Sequence, residues 1–189
     1  LIYEDEIILN GAKIKAIKSS HDSVDSRNFI IEEQNKSVVY VTDTGYVNNK
    51  YFNFLKNRNV YLFESNHDIE LLNHGPYPKW LKQRVLGDEG HLSNKAASFY
   101  LAKLVGPDTK KILLMHLSEV NNSEEKTLET ITNTFKEYEV KNNFIGKDIY
   151  FSGSERGTGQ SQWGEDRWQA GGSGGGNRPG AHRRQGGAV

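Results

Sequence analysis

The sequence predicts an α/β fold, in which helices pack on a layered sheet. Residues 7–42 contain alternating or apolar runs of strand length separated by turn residues, a pattern typical of hairpins. From residue 47 onwards, helical and strand-like segments alternate, which indicates strands joined by helices. The predicted strands are Ile7–Asn10, Ala12–Lys18, Phe29–Glu33, Ser37–Thr42, Val60–Phe63 and Lys111–Met115.

The helices are predicted from caps, stop signals and apolar periodicity. Asp68 and Ser123 can each cap a helix, and either Ser93 or Asn94 can cap another. In the helix that follows Asn94, the apolar side chains recur on one face. The predicted helices are Val47–Lys56, Asp68–Asn73, Pro78–Leu86, Lys95–Val105 and Glu124–Glu139.

The composition restricts the classes of site that the chain can build. Because the chain has no cysteine, disulfides and thiolate zinc sites are excluded, and any metal must be held by histidine and carboxylate side chains. The net charge is zero and no basic stripe is present, so electrostatics alone do not predict a nucleic-acid binder. No apolar run is long enough to span a membrane, and the N-terminus does not resemble a signal peptide. We therefore expect a cytoplasmic protein without a membrane partner, and the lack of an initiator methionine predicts that the chain begins inside a longer protein.

The composition changes near residue 151. Residues 152–189 contain no Lys, Leu, Ile, Phe, Tyr or Met, and 12 of the 19 glycines lie there. Such a segment buries too little apolar surface to offset its ordering entropy, so residues 151–189 are predicted to be a disordered Gly/Arg-rich tail. The alternatives are an Arg/Gly tail that binds nucleic acid and foreign sequence from a frameshift or an artificial junction. The change from Lys/Asn to Arg/Gly usage favours foreign sequence.

Four predicted strands lead into residues that can bind metal or transfer a proton. These residues are His21, Asp43, Glu64 and His116, and His91 lies between the last two in the sequence. The ends of strands flanked by helices are where ligands and chemistry collect. Together the residues predict a hydrolytic metal site that would take Zn²⁺, Mn²⁺ or Fe.

Each candidate taken alone also has an ordinary structural explanation. Asp43 can begin a turn after a strand, and His116 can be a satisfied, half-buried histidine. Glu64 can be a solvated strand end, and His91 can belong to the cap of the next helix. Pairing of Glu64 with His91 would hold the imidazole in the tautomer needed for proton transfer. His67 could serve the same cleft.

Several short segments occur in an order that has a known counterpart. They are Thr42–Val47, Glu64–Asp68, Gly90–Asn94 and Met115–Ser118 followed by Asn121 and Asn122. In combination they resemble the metallo-β-lactamase-fold hydrolases of the YycJ (WalJ) type, over about residues 10–135. The resemblance implies a four-layer αβ/βα sandwich with two divalent metal ions, Zn²⁺ or Mn²⁺, in the cleft between its sheets. It also implies hydrolysis of phosphodiester bonds in a nucleic-acid substrate, as by a DNA exonuclease.

The resemblance implies three metal ligands in this chain. His21 and His116 match histidine ligands of different metals, and Asp43 matches the carboxylate that bridges the two ions. The family's His-x-His-x-Asp-His motif, which supplies the other ligands, is absent from the sequence. The resemblance therefore implies that residues 1–150 are the C-terminal portion of such a domain, with the N-terminal half missing.

The resemblance also implies catalytic residues. Glu64 and His91 are similar to the pair that tRNA 3′-processing relatives use to pass a proton to the leaving group, and His67 is added as a third candidate. In the intact enzyme, hydroxide formed at the metals would attack phosphorus while His91 protonates the leaving oxygen.

The incomplete ligand set leaves more than one function open. We expect a truncated, inactive fragment of a metal-dependent phosphodiesterase or nuclease. The alternatives are a non-catalytic remnant or binding module that needs a partner half, and a hydrolase of the same fold that acts on a thioester or lactam. Glu64 and His91 favour the phosphodiester substrate. The sheet face that packs on the missing layer would be uncovered, which predicts self-association.

Overall fold

The computed structural model describes residues 6–141 and 148–152, and apart from residues 151 and 152 the predicted Gly/Arg-rich tail (151–189) lies outside the described residues. The strands are β1 (Glu6–Leu9), β2 (Ala12–Lys18), β3 (Arg27–Glu33), β4 (Lys36–Val41), β5 (Val60–Glu64), β6 (Lys111–Met115) and β7 (Ile149–Phe151). The helices are α1 (Phe52–Leu55), α2 (Ile69–His74), α3 (Lys79–Leu86), α4 (Asn94–Leu104) and α5 (Glu124–Glu137), and a 3₁₀ turn (Asn49–Tyr51) precedes α1. Within the described residues, no helix has the length and apolar character needed to cross a bilayer.

All the described strands lie in one sheet, in the order of the chain. Strands β1 to β4 pair antiparallel, and β4 to β7 pair parallel. The first hairpin turns at Asn10 and Gly11, where both residues adopt positive φ as a tight two-residue turn requires. Since β2 and β4 are each antiparallel to β3, the C-terminal ends of β2, β4, β5 and β6 all lie at the same edge of the sheet.

One face of the sheet packs on the helices. Side chains alternate between the two faces of a strand, and β4, β5 and β6 each contribute two alternate, fully buried apolar residues. These side chains share one hydrophobic core with the inner faces of α4 and α5. The core contains Val39, Val41, Tyr61, Phe63, Ile112 and Leu114 from the sheet and Ala97, Leu101, Leu104, Ile131 and Phe135 from the two helices.

The opposite face carries two apolar rows that are only partly buried. Cross-strand partners lie on the same face, so the pairing defines each row directly. The first row is Ile7, Ile14, Ile31, Val38 and Val60, and the second row is Phe29, Tyr40, Leu62, Leu113 and Tyr150. The ends of the rows are the most open, with Ile7 54% and Tyr150 37% exposed.

The predicted elements differ from the structure at two places. The prediction of one helix over Val47–Lys56 is wrong, because Val47 is buried and Asn48 is extended and caps only the 3₁₀ turn. Strand β7 was not predicted, since three residues carry no periodic signal of their own. The predicted caps Asp68, Ser93 and Ser123 are confirmed, each accepting a backbone N–H in the first turn.

Candidate metal centre

Two of the candidate residues, each just after a strand, have a backbone conformation that is rare for residues other than glycine. Asp43 comes just after β4 with a φ of 49°, and His116 directly follows β6 with a φ of 59°. Positive φ is uncommon for residues other than glycine, and such strain is concentrated at functional sites. The turn at each strand end directs both side chains into the same region, where Asp43 Oδ1 lies 3.5 Å from Nδ1 of His116.

Glu64 is the last residue of β5, and its side chain is completely buried. One carboxylate oxygen, Oε1, accepts hydrogen bonds from Nδ1 of His91 at 2.7 Å and from Nδ1 of His116 at 2.8 Å. The other oxygen accepts from the backbone N–H groups of Thr44 at 3.1 Å and Leu92 at 3.3 Å. These donors satisfy a carboxylate that would otherwise be too costly to bury.

These hydrogen bonds keep Glu64 ionised and determine the tautomers of His91 and His116. Burial alone would raise the pKa of Glu64, but hydrogen bonds from His116 and His91 outweigh it and hold that pKa below its usual value. The hydrogen bond with Glu64 likewise raises the pKa of His116. Because an ionised carboxylate only accepts, each imidazole donates from Nδ1, which leaves Nε2 as its second functional nitrogen.

The side chains meet closely enough to hold a metal ion. Each of Asp43, Glu64, His91 and His116 offers a ligand atom within 4.8 Å of the others. Imidazole nitrogen and carboxylate oxygen are donors that suit Zn²⁺, Mn²⁺ and Fe. The bond between Glu64 and His116 fits the arrangement in which a metal-ligating histidine donates its other N–H to a carboxylate. Asp43 and His116 are the open members, with side chains 41% and 42% exposed.

His21 lies beside this cluster, next to His91. Its Nε2 is 4.0 Å from Oδ1 of Asp43, and its Nδ1 lies 3.1 Å from the carbonyl oxygen of Gly90. Its ring centroid is 5.0 Å from that of His91, and His91 is in turn 5.0 Å from His116. The three imidazoles therefore form a continuous row along the edge of the sheet, with Asp43 in front of all three.

His67 occupies the core behind the cluster. It is 1% exposed, and neither ring nitrogen has a hydrogen-bond partner among the described residues. Its backbone is fixed by a β-bridge to Ser93 and by the N–H of Asn94, which donates to its carbonyl oxygen. Burial lowers the pKa of His67 to about 4, so the ring is neutral at physiological pH.

The sequence did not reveal the polar network that joins the segments after β5 and β6 to the start of α4. Asn94, at the start of α4, accepts from the Ser65 hydroxyl at 2.8 Å. Asn122, in the loop after β6, donates to the carbonyl of Ser65 at 2.8 Å and to Oδ1 of Asn94 at 2.9 Å. The hydroxyl of Thr127 joins the same group. The signal that could have indicated it is a run of short polar residues after each strand, at Ser65 and Asn122.

The geometry can be compared with known proteins. No protein-family model matches the chain. Exodeoxyribonuclease YycJ of Bacillus anthracis is 34% identical over 125 residues, covering 66% of this chain and 47% of that protein. Exodeoxyribonuclease WalJ of Streptococcus pneumoniae is 42% identical over 120 residues, covering 64% of this chain and 45% of that protein. The chain thus spans less than half the length of the curated relatives it matches.

A solved structure supports the same fold. The metallo-β-lactamase fold protein YhfI from Bacillus subtilis matches with a TM-score of 0.56 and 16% identity, covering 80% of this chain and 51% of that one. The fold class predicted from the sequence is confirmed, and the described residues form one mixed sheet with helices packed on one face. The chain therefore has the metallo-β-lactamase fold and, over the residues that it shares with them, is a relative of the YycJ and WalJ proteins.

Proposed function

We propose that the protein is a metal-dependent hydrolase that acts on phosphodiester bonds in DNA, as an exonuclease. The observation that carries the proposal is the buried Glu64 carboxylate, which orients both His91 and His116 toward Asp43 at one edge of the sheet. The names of the curated relatives support DNA as the substrate. The near-neutral sequence is compatible with this substrate, because bound cations would neutralise the phosphate charge. A cytoplasmic location is part of the same proposal.

The proposed metal ligands are His21, Asp43 and His116. Divalent cations, Zn²⁺ or Mn²⁺, would supply Lewis acidity and a water of lowered pKa at this site. Glu64 accepts from Nδ1 of His116 and so fixes the ring with Nε2 available to a cation. The carbonyl of Gly90 performs the same task for His21.

The proposed proton donor is His91. Its Nδ1 is held by Glu64, so Nε2 is the atom that would pass a proton to the leaving oxygen. His67 acts behind the cluster rather than on the substrate, because its side chain is buried and only 1% exposed.

The ligand set in this chain is incomplete for two ions. Catalytic zinc sites use about three protein ligands for each ion, whereas His21 and His116 are proposed to serve different ions and Asp43 is shared. We propose that residues 1–150 are the C-terminal portion of the catalytic domain, that residues 151–189 do not belong to it, and that the chain alone binds metal weakly and hydrolyses DNA poorly.

The proposal includes a second layer of protein that covers the open face of the sheet. The two apolar rows on the open face of the sheet, with Leu62 and Leu113 at the centre of one of them, favour burial against another layer. In its absence, this face would support self-association of the chain. Light scattering after size exclusion tests this: we expect oligomers that Leu113→Lys converts to monomer, and a monodisperse monomer of the unmodified chain would exclude the association.

Metal binding is tested by calorimetric titration of Mn²⁺ and Zn²⁺ into the 189-residue chain. We expect weak binding that is lost in Asp43→Asn and in His116→Ala. His74→Ala is the matched control, because the His74 side chain is 81% exposed and lies on α2, outside the cluster. Binding that is unchanged in both site variants would refute the proposed ligands.

Hydrolysis is tested with a fusion that supplies the missing ligands. The N-terminal portion of Streptococcus pneumoniae WalJ, joined ahead of residues 1–152, should degrade end-labelled DNA with Mn²⁺. His91→Ala in this fusion should reduce kcat by at least about a hundredfold, as expected for loss of a general acid. A fusion that binds metal without degrading DNA would contradict the proposed activity.

A further inference from the structure

We propose that a cavity beside the metal centre binds the terminal nucleotide of the DNA strand, with the base stacked on Tyr46. The cavity has a volume of about 560 Å³ and is lined by residues that include Lys18, Ser19, Ser20, His21, Tyr46 and Lys50. This volume lies within the range of about 300–1,000 Å³ that is usual for small-ligand sites. The assignment of the occupant as a substrate nucleotide rests on the proposed function.

The cavity and the metal centre share one residue. His21 lines the cavity, and its Nε2 is 4.0 Å from Oδ1 of Asp43. A molecule in the cavity therefore lies directly next to the position where a phosphodiester would be cleaved. The cavity extends from His21 away from His91 and His116, which do not line it. Its occupant is accordingly a neighbouring unit of the substrate rather than the reacting phosphate itself.

The wall that carries Tyr46 is fixed by hydrogen bonds to the catalytic cluster. The Thr44 hydroxyl accepts from the N–H of Ser20 at 3.1 Å and donates to the carbonyl of Tyr46 at 2.8 Å. The N–H of Thr44 donates to Glu64 at 3.1 Å, and the N–H of Gly45 donates to the carbonyl of Ser20 at 2.9 Å. The buried Thr44 thus links the cavity wall to the carboxylate that orients His91, so the cavity is organised before a ligand arrives.

The lining segment that contains Ser20 and Asp22 is also fixed by hydrogen bonds. The Ser20 hydroxyl donates to the carbonyl of Asp88 at 2.8 Å, and the N–H of Asp22 donates to the carbonyl of Glu89 at 3.2 Å. Arg84 binds the Asp22 carboxylate through two nitrogens, one of them at 3.0 Å. This ion pair neutralises one of the two acidic residues that line the cavity, Asp22 and Glu89. Besides this paired carboxylate, the charged residues of the lining are Glu89 and two lysines, Lys18 and Lys50.

The lining offers the two kinds of group that bind a nucleotide. Tyr46 is 40% exposed although it is large and partly apolar, and an exposed ring of this kind is a stacking platform for a base. Lys18 and Lys50 supply positive charge for a phosphate, and the serine hydroxyls supply hydrogen bonds. Stacking on a protein ring requires a base that has left the duplex, which is easiest at a strand end. The cavity therefore fits a terminal nucleotide.

The test is a titration of thymidine 5′-monophosphate into the 189-residue chain with EDTA present, followed by backbone amide chemical shifts. We expect saturable shifts concentrated in residues 18–26 and 44–51, together with Glu89, which also lines the cavity. Tyr46→Ala should weaken binding by at least about fivefold, the lower limit for loss of one stacked base. The matched control is Tyr138→Ala, which removes a tyrosine that is 43% exposed and does not line the cavity. Circular dichroism of both variants verifies that they are folded.

The contributions of the phosphate and of the base to nucleotide affinity are separated with two further ligands and one pair of variants. Thymidine and inorganic phosphate should each bind more weakly than the nucleotide. Lys50→Ala should weaken the nucleotide but not thymidine, and Lys56→Ala, outside the cavity, should change neither. Equal affinity for inorganic phosphate and nucleotide, unchanged binding in Tyr46→Ala, or shifts that avoid both segments would overturn the proposal.

The nucleotide titration tests the cavity independently of the hydrolase proposal, because EDTA keeps metal ions out of the experiment. Nucleotide binding that depends on Tyr46 would stand even if Asp43→Asn and His116→Ala both left metal binding intact, which is the result that refutes the proposed metal ligands. Conversely, hydrolysis by the WalJ fusion together with absent nucleotide binding would overturn the cavity and leave the hydrolase.

Discussion

Nδ1 of His91 lies 2.7 Å from Oε1 of Glu64, a carboxylate that is completely shielded from solvent. The same oxygen accepts from Nδ1 of His116 at 2.8 Å. One buried charge therefore sets the orientation and tautomer of two imidazoles on separate loops. The parallel pairing of β5 with β6 produces this arrangement, because it places Glu64 opposite Met115 and so next to His116.

Replacing Glu64 by glutamine should destabilise the fold by about 3 kcal/mol. The side chain keeps its shape, but its amide NH₂ meets donors from the histidines or the backbone where the carboxylate accepted hydrogen bonds. Urea unfolding at pH 7 measures the free energy of unfolding. Glu70→Gln on α2 is the control, since the Glu70 side chain is 77% exposed and should lose almost nothing. Equal stability of the two variants would contradict the role of the buried charge.

The pH dependence gives a second measurement on the same variant. Because hydrogen bonds hold the pKa of Glu64 low in the folded state, its contribution is present above the usual carboxyl pKa and is lost as the pH falls through the lowered value. Glu64→Gln should therefore lose less stability than the unmodified chain as the pH decreases through the acid range. Parallel curves for the two proteins would show that Glu64 carries no such linkage.

The sequence contained enough information to place several chemical groups at strand ends. Apolar runs end directly before Asp43 and His116, and the alternation of strands with helices predicts that parallel strands end at one edge of the sheet. The contact between Glu64 and His116 could not be predicted from the sequence. That contact depends on the register between β5 and β6, and neighbouring buried runs of five residues can pair in more than one register.

Tertiary contacts also determine the two elements that the sequence did not predict correctly. Strand β7 has only three residues, and although Ile, Tyr and Phe favour strands, so short a run becomes a strand only through pairing with β6. Residues 47–56 have helical periodicity, but burial of Val47 in the core holds the chain extended at Asn48. The network of Asn94 and Asn122 carries no recognisable spacing, because its members come from separate loops and helix starts that only the tertiary fold brings together.

Asn122→Ala should disturb the site as well as the stability. It removes the donor to the carbonyl of Ser65 and a partner of Asn94, which leaves buried polar atoms unsatisfied and costs about 2 kcal/mol. The loops that carry Glu64 and His116 then lose a shared anchor. We expect changed imidazole NMR signals from His91 and His116, besides a lower free energy of unfolding.

Tyr61→Phe is the matched control for Asn122→Ala. The Tyr61 hydroxyl is buried, burial raises the pKa of Tyr61 to about 12, and the oxygen lies 2.7 Å and 2.8 Å from the carbonyl oxygens of Leu55 and Leu104. Its loss should cost about 1–3 kcal/mol and leave the imidazole signals unchanged. Unaltered imidazole signals in Asn122→Ala would exclude a positioning role for the network.

His67→Phe should make the protein more resistant to acid. The folded-state pKa of His67 is lowered by burial to about 4, so between its usual pKa and that value the unfolded chain binds a proton that the folded chain does not. The free energy of unfolding therefore decreases as the pH falls through this window, by about 3 kcal/mol at its lower end. Phenylalanine removes this pH-dependent decrease in the free energy of unfolding. It also removes two buried ring nitrogens that have no hydrogen-bond partner. Urea unfolding should show a difference between variant and parent that grows from pH 8 to pH 4.5, and a constant difference would contradict the assignment.

Gly45→Ala should disrupt the contact between the loops at 43–46 and 87–90. A Cβ at Gly45 would lie 2.3 Å from the carbonyl oxygen of Asp88 and 2.5 Å from that of Gly87, and backbone atoms cannot move as a flexible side chain does. We expect a loss of about 1–3 kcal/mol. Because the loop at 87–90 also supports Ser20 and His21 by hydrogen bonds, the imidazole signal of His21 should shift. Gly11→Ala is the control: no atom lies within 4 Å of its added Cβ, and its cost arises only from a φ of +88°. It should lower the thermal midpoint without altering the His21 signal, and a variant at Gly45 that behaves in the same way would show that the two loops do not depend on close packing.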